Sequence, residues 1–208
     1  DYYRQQYGVS STMISYGADS STVPTTEIQQ RLRVNPREYI LYVSRLETEN
    51  NAHLVIDADG PVRTQKPLLI VGDAPYAQDY IARLKTTRDS RVRFPGALYG
   101  IAYRELQSHA YLYVHATEVG GTHPALIEAM GAGNCVFAYD TPENREVLGD
   151  CGLFFSGITE LSGLLQKAVD DPQFVESFRG KARARARALY SWDAITDQYE
   201  QLFRMLCS

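Results

Sequence analysis

The chain of 208 residues has few cysteines, no long apolar run and no excess of positive charge. Its three cysteines lie far apart and lack the spacing of metal ligands or of a disulfide framework, which favours reduced thiols in a cytoplasmic protein. No stretch approaches the roughly 20 apolar residues of a membrane span, and no signal peptide is visible. A formal net charge of −4 argues against a global electrostatic attraction to nucleic acid.

One segment near the end of the chain is strongly basic. It reads RGKARARARAL and covers residues 179–189. A nucleic-acid site or a contact with acidic lipid is one interpretation. Because Arg and Lys alternate with Ala in a chain of acidic net charge, the pattern favours the solvated face of a helix.

Short apolar runs alternate with longer helical patterns along most of the chain. The runs at 12–15, 39–44, 67–72, 91–94, 110–115, 134–139 and 152–155 predict strands. The patterns at 76–88, 99–109, 124–131 and 142–148 predict helices, and so do those at 159–170, 172–189 and 192–206. Most of the strand segments are almost continuously apolar, which is typical of parallel strands covered on both faces. The alternation predicts an α/β fold, a Rossmann-like doubly wound parallel sheet with extra C-terminal helices.

A glycine turn follows the strand predicted at 110–115. The segment ATEVGGTHPALIEAM places Gly-Gly-Thr at 120–122, directly before a helix that begins near Pro124. Glycine amides and a helix N-terminus favour phosphate at the carboxyl edge of such a sheet, and Thr122 can cap the helix. Glu128 leans back toward the same edge and is suited to two neighbouring sugar hydroxyls. The pattern therefore predicts a nucleotide, with diphosphate on the amides and ribose on Glu128.

A second cluster supports this interpretation. Arg45 follows the strand predicted at 39–44 and can form a forked contact with a diphosphate in the same cleft. The turn at 94–98 can present backbone groups to a base. Each feature has a structural alternative: a glycine pair also serves tight connections, an isolated Glu is usually solvated, and Arg45 can pair with Glu47 or Glu49 at the surface.

Taken in order, these segments resemble the C-terminal, donor-binding half of a family 4 glycosyltransferase, a family of retaining enzymes with two Rossmann domains (the GT-B architecture). The resemblance is carried by LYVSRLE, by LLIVGDAPYAQDYIARL and by the block from VRFPGALYG to GDCGLFF. It runs from about Ile14 to Phe155, and SWDAITDQYEQLF resembles the family's tail. It implies that 1–208 is a nucleotide-sugar-binding domain with 159–208 as a helical extension, and that the acceptor-binding N-terminal domain is absent.

The resemblance also implies roles for individual residues. Arg45 matches the Arg that binds the diphosphate, and Glu128 matches the Glu that holds the ribose hydroxyls. Gly121 and Thr122 fall in the loop whose amides meet the distal phosphate and the sugar. His115 and His123 flank the same loop and are expected near the sugar.

Two departures from the family pattern lie at the sugar and diphosphate ends of the site. Gly120 stands where the family has its first motif Glu, with Glu118 displaced by two positions, and Asn50 stands where a Lys is usual. Ala97 and Leu98 match the segment that touches the base. Together, RLETENN and EVGGTHPALIEAM resemble a rhamnosyltransferase-like branch, which implies a 6-deoxyhexose carried on uridine or deoxythymidine diphosphate.

The function implied is transfer of a sugar, with rhamnose as one option, from a nucleoside diphosphate to a glycan or lipid-linked acceptor in polysaccharide synthesis. No cofactor and no metal are expected, because no clustered Asp pair follows a strand and Arg45 can offset charge on the leaving diphosphate. The expected partners are a nucleotide sugar and an acceptor held by the missing domain, without nucleic acid.

The expected location is the cytoplasm, with peripheral contact at the inner membrane face open for the full-length protein. Two alternative functions stay open, a sugar-nucleotide epimerase of the same architecture and a non-catalytic nucleotide-binding module. The chain alone is expected to bind donor without transferring the sugar, because it has no second wall to hold an acceptor and exclude water.

Overall fold

The computed structural model describes residues 2–121 and 123–207. It contains six strands, β1 (Ile40–Val43), β2 (Leu68–Val71), β3 (Val92–Gly96), β4 (Leu112–His115), β5 (Val136–Tyr139) and β6 (Leu153–Phe155). All strand pairs are parallel, and the order across the sheet is β3-β2-β1-β4-β5-β6. The predicted Rossmann-like α/β sheet is therefore confirmed.

Helices connect the strands and continue past the last one. They are α1 (Tyr2–Tyr7), α2 (Glu27–Leu32), α3 (Ala52–Asp59), α4 (Gln78–Leu84), α5 (Gly100–His109), α6 (Pro124–Gly131), α7 (Pro142–Leu148), α8 (Ile158–Asp170), α9 (Pro172–Leu189) and α10 (Trp192–Leu206). Within the described ranges, none of these helices is long and apolar enough to cross a membrane. The last three helices confirm those predicted at 159–170, 172–189 and 192–206.

The strand predicted at 12–15 is wrong. Residues 8–26 contain no helix or strand. Met13 is exposed, so this short apolar run does not bury its side chains as a sheet strand would. The backbone of the segment instead bonds to helices, since the Ala18 amide donates to the Tyr190 carbonyl at 2.7 Å and the Val23 amide donates to Ser108 Oγ at 3.0 Å.

The hydrophobic core has two layers, one on each face of the sheet. Ile40 and Tyr42 of β1 belong to the layer that packs against α3 and α8, whereas Leu41 belongs to the layer that packs against α5, α6 and α9. The strand side chains on both layers are almost completely buried, so the strands read as continuous apolar runs. This coverage leaves the carboxyl edge of the sheet as the natural place for a ligand.

Several of the buried tyrosines place their hydroxyls on backbone carbonyls. Tyr39 donates to Leu106 O at 2.7 Å, and Tyr42 donates to Asn50 O at 2.6 Å. Tyr113 donates to a carbonyl of β1 at 3.2 Å. A buried phenol needs such a partner, so these tyrosines combine core packing with fixed attachment points for neighbouring segments.

The solvated face predicted for the basic segment is wrong for three of its five basic residues. Arg179 is 6% exposed and donates to backbone carbonyls just beyond the ends of α5 and α6. Arg183 and Arg185 donate to carbonyls at the ends of α6 and α7. Only Lys181 and Arg187 are exposed. A guanidinium suits this position because the last carbonyls of a helix lack partners and carry partial negative charge.

Candidate functional site

A cleft of about 660 Å³ opens at the carboxyl ends of β1, β2 and β4. The chain runs outward from β1 through β2 to β3 and then returns to β4 on the other side of β1. The chain after β1 and the chain after β4 therefore lead to helices on opposite faces of the sheet, α3 and α6, and this is the place where open α/β sheets bind ligands. Residues singled out from the sequence that line this cleft are Arg45, Asn50, Ala97, Leu98, His123 and Glu128.

The glycine turn belongs to the loop that leads from β4 to α6. Val119 and His123, which flank the turn, both line the cleft. Gly120 has a φ of 140°, and a Cβ there would lie 2.6 Å from the His123 ring, so only glycine fits. Gly121 is exposed, and Thr122, predicted to cap α6 and to contact phosphate, lies outside the described residues.

Arg45 lies at the rim of the cleft with 72% of its side chain exposed. Its guanidinium pairs with Glu47 at 3.3 Å and contacts the Tyr76 hydroxyl at 3.4 Å. The residue thus lines the cleft and also forms the surface pair that was the alternative interpretation. Surface ion pairs are worth only about 0–1 kcal/mol, and although the Glu47 side chain is 12% exposed, the guanidinium is open to a more highly charged anion.

Asn50 is buried beneath the turn that carries Arg45. Its side-chain amide donates to Arg45 O at 2.8 Å and approaches Glu47 Oε2 at 3.4 Å. The Asn50 carbonyl accepts the Tyr42 hydroxyl described above. Asn50 therefore shapes the Arg45 turn without adding charge, and its predicted contact with a diphosphate stays a prediction.

The loops after β1 and β4 are bound to each other. Asn51 has a left-handed backbone with a φ of 56°, and its side-chain amide donates to Ala116 O at 3.1 Å. The same amide approaches Glu118 Oε2 at 3.4 Å, and the Glu118 amide donates to Glu49 O at 3.1 Å. Glu118, the displaced acidic residue, thus connects two loops of the cleft.

Helix α6 directs its N-terminus and Glu128 toward the cleft. Pro124 occupies the first turn, where its missing N–H costs nothing, and His123 precedes it with an extended backbone. The apolar side of the helix is buried, including Leu126 and Ile127. Glu128 lies off this apolar side, and the Tyr103 hydroxyl donates to its Oε2 at 2.6 Å. The amides at the start of α6 and a carboxylate four residues on therefore face one cavity.

Two histidines lie where β4 leads into the glycine loop. His115 is 3% exposed, and its ring centroid lies 4.9 Å from that of His123. Burial lowers the pKa of His115 to about 3, with a smaller contribution from His123. Burial also lowers the pKa of His123, against the opposing charge of Glu143. Both imidazoles are neutral at pH 7, so they offer hydrogen bonds without charge.

Comparison with known protein families assigns the chain to one of them. A family model described as glycosyl transferases group 1 matches residues 37–171, from just before β1 to the end of α8. The chain belongs to the group 1 glycosyl transferases. The matched range includes all six strands of the Rossmann-like sheet.

Solved structures show the same GT-B fold. Anabaena Alr3699/HepE in complex with UDP and glucose superposes with a TM-score of 0.84 at 23% identity, covering 93% of this glycosyltransferase chain and 57% of that protein. Sucrose-phosphate synthase from Thermosynechococcus elongatus gives a TM-score of 0.79 at 24% identity, with coverages of 99% and 55%. A glycosyltransferase from Rickettsia africae superposes with a TM-score of 0.86 at 13% identity, covering 100% of this chain and 61% of that protein. The chain thus spans less than two thirds of each of these proteins.

Sequence reasoning missed Tyr103, whereas it expected His115, with His123, to flank the donor loop near the sugar. All three line the cleft. A signal for Tyr103 was present, because it lies three residues after Gly100 at the start of α5, much as Glu128 lies four residues after Pro124 in α6. Helices α5 and α6 both begin at this edge of the sheet, so side chains near their starts lie close together.

The described part of the glycosyltransferase holds no group of three His, Cys, Asp or Glu side chains that could bind a metal ion. Among the described residues that line the cleft, Arg45 carries the one Lys or Arg charge, and the amides at the start of α6 add partial positive charge.

Proposed function

We propose that this glycosyltransferase chain is the donor-binding domain of a retaining enzyme that uses a uridine or deoxythymidine diphosphate sugar. One observation carries the proposal: Arg45, the N-terminus of α6 and Glu128 line a single cleft at the point where the strand order reverses. Alr3699/HepE, which has the same fold, is described in complexes with UDP and with UDP-glucose. A cleft of this volume suits a nucleotide.

Each part of the donor has a matching group. The diphosphate lies between the Arg45 guanidinium and the amides that open α6, where positive potential offsets the charge that develops on the leaving group. The ribose binds the Glu128 carboxylate, and the base lies against the backbone at Ala97 and Leu98. The neutral His123 lies near the sugar, where an uncharged hydrogen-bonding group suits hydroxyls.

The proposal extends to the whole enzyme. The transferred sugar is a 6-deoxyhexose such as rhamnose, and the acceptor is a glycan or a lipid-linked glycan that a second domain holds. Charge neutralisation by Arg45 and α6 makes the reaction independent of metal. The enzyme works in the cytoplasm, with its acceptor at the inner face of the membrane.

Titration of the isolated chain with UDP, UMP and uridine tests the donor site. UDP is expected to bind more tightly than UMP, because both positive groups face a diphosphate. Arg45→Ala should weaken UDP binding about tenfold or more, since a charge-assisted contact is worth about 1.5–3 kcal/mol. Arg88→Ala, which changes an exposed Arg outside the cleft, is the matched control and should leave UDP binding unchanged. Equal affinity for all three ligands would overturn the proposal.

Turnover by the natural full-length protein distinguishes the reaction classes. Acceptor-dependent release of nucleoside diphosphate is expected from a transferase. Release of free sugar and nucleotide at the same rate without acceptor indicates an epimerase-like enzyme, and binding without turnover indicates a non-catalytic module.

A further inference from the structure

The carboxylate of Glu47 is held beside Arg45 by groups other than Arg45 itself. The Tyr76 hydroxyl donates to Glu47 Oε1, and the Asn50 side-chain amide donates to Glu47 Oε2 at 3.4 Å. The Arg45 guanidinium contacts the same Oε2 atom at 3.3 Å. Each carboxylate oxygen therefore has a neutral protein donor, and Glu47 stays in place when the guanidinium turns to another anion.

The Tyr76 phenol keeps the proton that it donates to Glu47. It accepts from Arg45 Nη1 at 3.4 Å at the same time, so the three side chains form a closed set of contacts. The hydrogen bond to Glu47 raises the pKa of Tyr76 above its usual value. The side chain of Glu47 is 12% exposed and that of Arg45 is 72% exposed, so the carboxylate is the fixed partner of the pair and the guanidinium is the one free to reorient.

The charge balance of the cleft gives this carboxylate its effect. Among the described lining residues, Arg45 brings the one Lys or Arg charge, whereas Asp73 and Glu128 bring carboxylates. A phosphate on the open side of the Arg45 guanidinium lies about 6 Å from the Glu47 carboxylate, a separation at which like charges still repel at a protein surface. A diphosphate on Arg45 is therefore bound less tightly than it would be by an unpaired guanidinium.

We propose that Glu47 is a specificity-determining residue that weakens binding of the product diphosphate more than binding of the donor. The inference rests on the proposed function, in which Arg45 contacts the diphosphate. In a nucleotide sugar the β-phosphate is esterified to the sugar and carries one negative charge. Once the sugar has left, the same phosphate gains most of a second negative charge at pH 7. Repulsion from Glu47 rises with that charge, so the carboxylate favours exchange of product for new donor.

Calorimetry with uridine, UDP and the β-methyl ester of UDP tests the inference. The methyl ester has the diphosphate charge of a donor but no sugar, so the test does not depend on which sugar the enzyme uses. In Glu47→Gln the affinity for UDP is expected to rise about tenfold or more and that for the methyl ester about threefold, while uridine changes by less than about twofold. The ratio of UDP affinity to methyl-ester affinity therefore rises about threefold.

Two controls separate repulsion from a structural effect. The gain in UDP affinity should shrink at about 1 M salt, where the Debye length is about 3 Å. Glu200→Gln is the matched variant, because Glu200 also forms an ion pair with an exposed Arg, Arg204 of α10, but lies outside the cleft. It should leave all three affinities at their wild-type values. Glu47→Ala removes the same charge and should raise UDP affinity as Glu47→Gln does, and thermal unfolding reports the folding of each variant.

Failure of the inference is distinguishable from failure of the proposed function. If Arg45→Ala weakens UDP binding while Glu47→Gln and Glu47→Ala leave it unchanged or weaken it too, Glu47 does not repel the product and only the inference is overturned. An equal gain for uridine and UDP overturns it as well, because uridine has no charge to repel. If the wild type binds uridine as tightly as UDP, or if Arg45→Ala leaves UDP affinity unchanged, the diphosphate contact itself is wrong and both proposals are overturned.

Discussion

Replacing Arg179 by Met should destabilise the fold more than the same substitution at an exposed Arg of the same helix. The guanidinium donates to Ala110 O at 2.9 Å, to Gly133 O at 3.2 Å and to Tyr111 O. Met has a similar length and a flexible apolar chain, so it fills the space without supplying donors. The variant therefore removes the hydrogen bonds with little change in packing volume.

The magnitude follows from the carbonyls that lose their donor. Ala110 O also accepts from Arg37 Nη1 at 2.9 Å and keeps that bond. Gly133 O and Tyr111 O lose a charged donor, and each such bond is worth about 1.5–3 kcal/mol. Removing a buried charge returns part of its desolvation cost. We expect the free energy of unfolding to fall by about 3 kcal/mol.

Urea denaturation followed by circular dichroism measures this loss. Arg187→Met is the matched control, because Arg187 is exposed on the same helix and its loss should change stability by no more than about 0.5 kcal/mol. Equal unfolding midpoints for the two variants would show that Arg179 does not stabilise the ends of α5 and α6, and the reasoning about the basic segment would be refuted.

Two further predictions concern pH. Burial raises the pKa of Asp59 to about 6, although Arg91 lies 3.1 Å away, so the folded state binds this proton more tightly than the unfolded state. The stability of the wild type relative to Asp59→Asn should therefore fall by about 2 kcal/mol as pH rises from about 4 to about 7, measured by denaturation at both values; a constant difference contradicts this. The His115 imidazole, with a pKa of about 3, should keep neutral NMR shifts from about pH 8 to about pH 5, and the stability due to its neutral form should be lost as pH falls below about 6.5. A His115 titration near pH 6 would contradict the burial argument.

The sequence predicted the alternation of the sheet because both faces of each strand are covered. Segments such as 67–72 and 134–139 are almost continuously apolar, and strands lie within both. The sequence also predicted helix starts. Pro124 and Pro142 stand in the first turns of their helices, and Ser191 caps α10 by accepting a hydrogen bond from the Ala194 amide. These signals are local, so they survive without knowledge of the fold.

The features that were missed depend on distant partners. Helix α2 has only six residues, and its first turn is held by Glu105, whose carboxylate accepts from the Glu27 and Gln29 amides at 3.1 and 3.0 Å. The Arg179 contacts likewise join residues far apart in sequence. Periodicity carries no information about such contacts.

The same limit applies to the candidate site. The glycine turn, Arg45 and Glu128 were predicted from strand ends and helix starts, and the structure brings Arg45 and Glu128 to one cleft beside the loop that carries the turn. The hydrogen bond from Tyr103 to Glu128 links two helices 25 residues apart, and no spacing rule predicts it. The burial that keeps His115 neutral also arises only from three-dimensional packing.

The hydrogen bond between Asn51 and Ala116 O couples the two loops of the cleft, so that a change in one loop affects the fit of the other. A glycine loop transplanted alone from another enzyme would meet an Asn51 amide placed for the original backbone, and an altered Arg45 loop would leave Ala116 O without its donor. If the cleft binds the proposed donor, changing its sugar by protein engineering should require exchange of residues 45–51 and 116–121 together. Natural lineages that alter one of these loops should carry a matching change in the other.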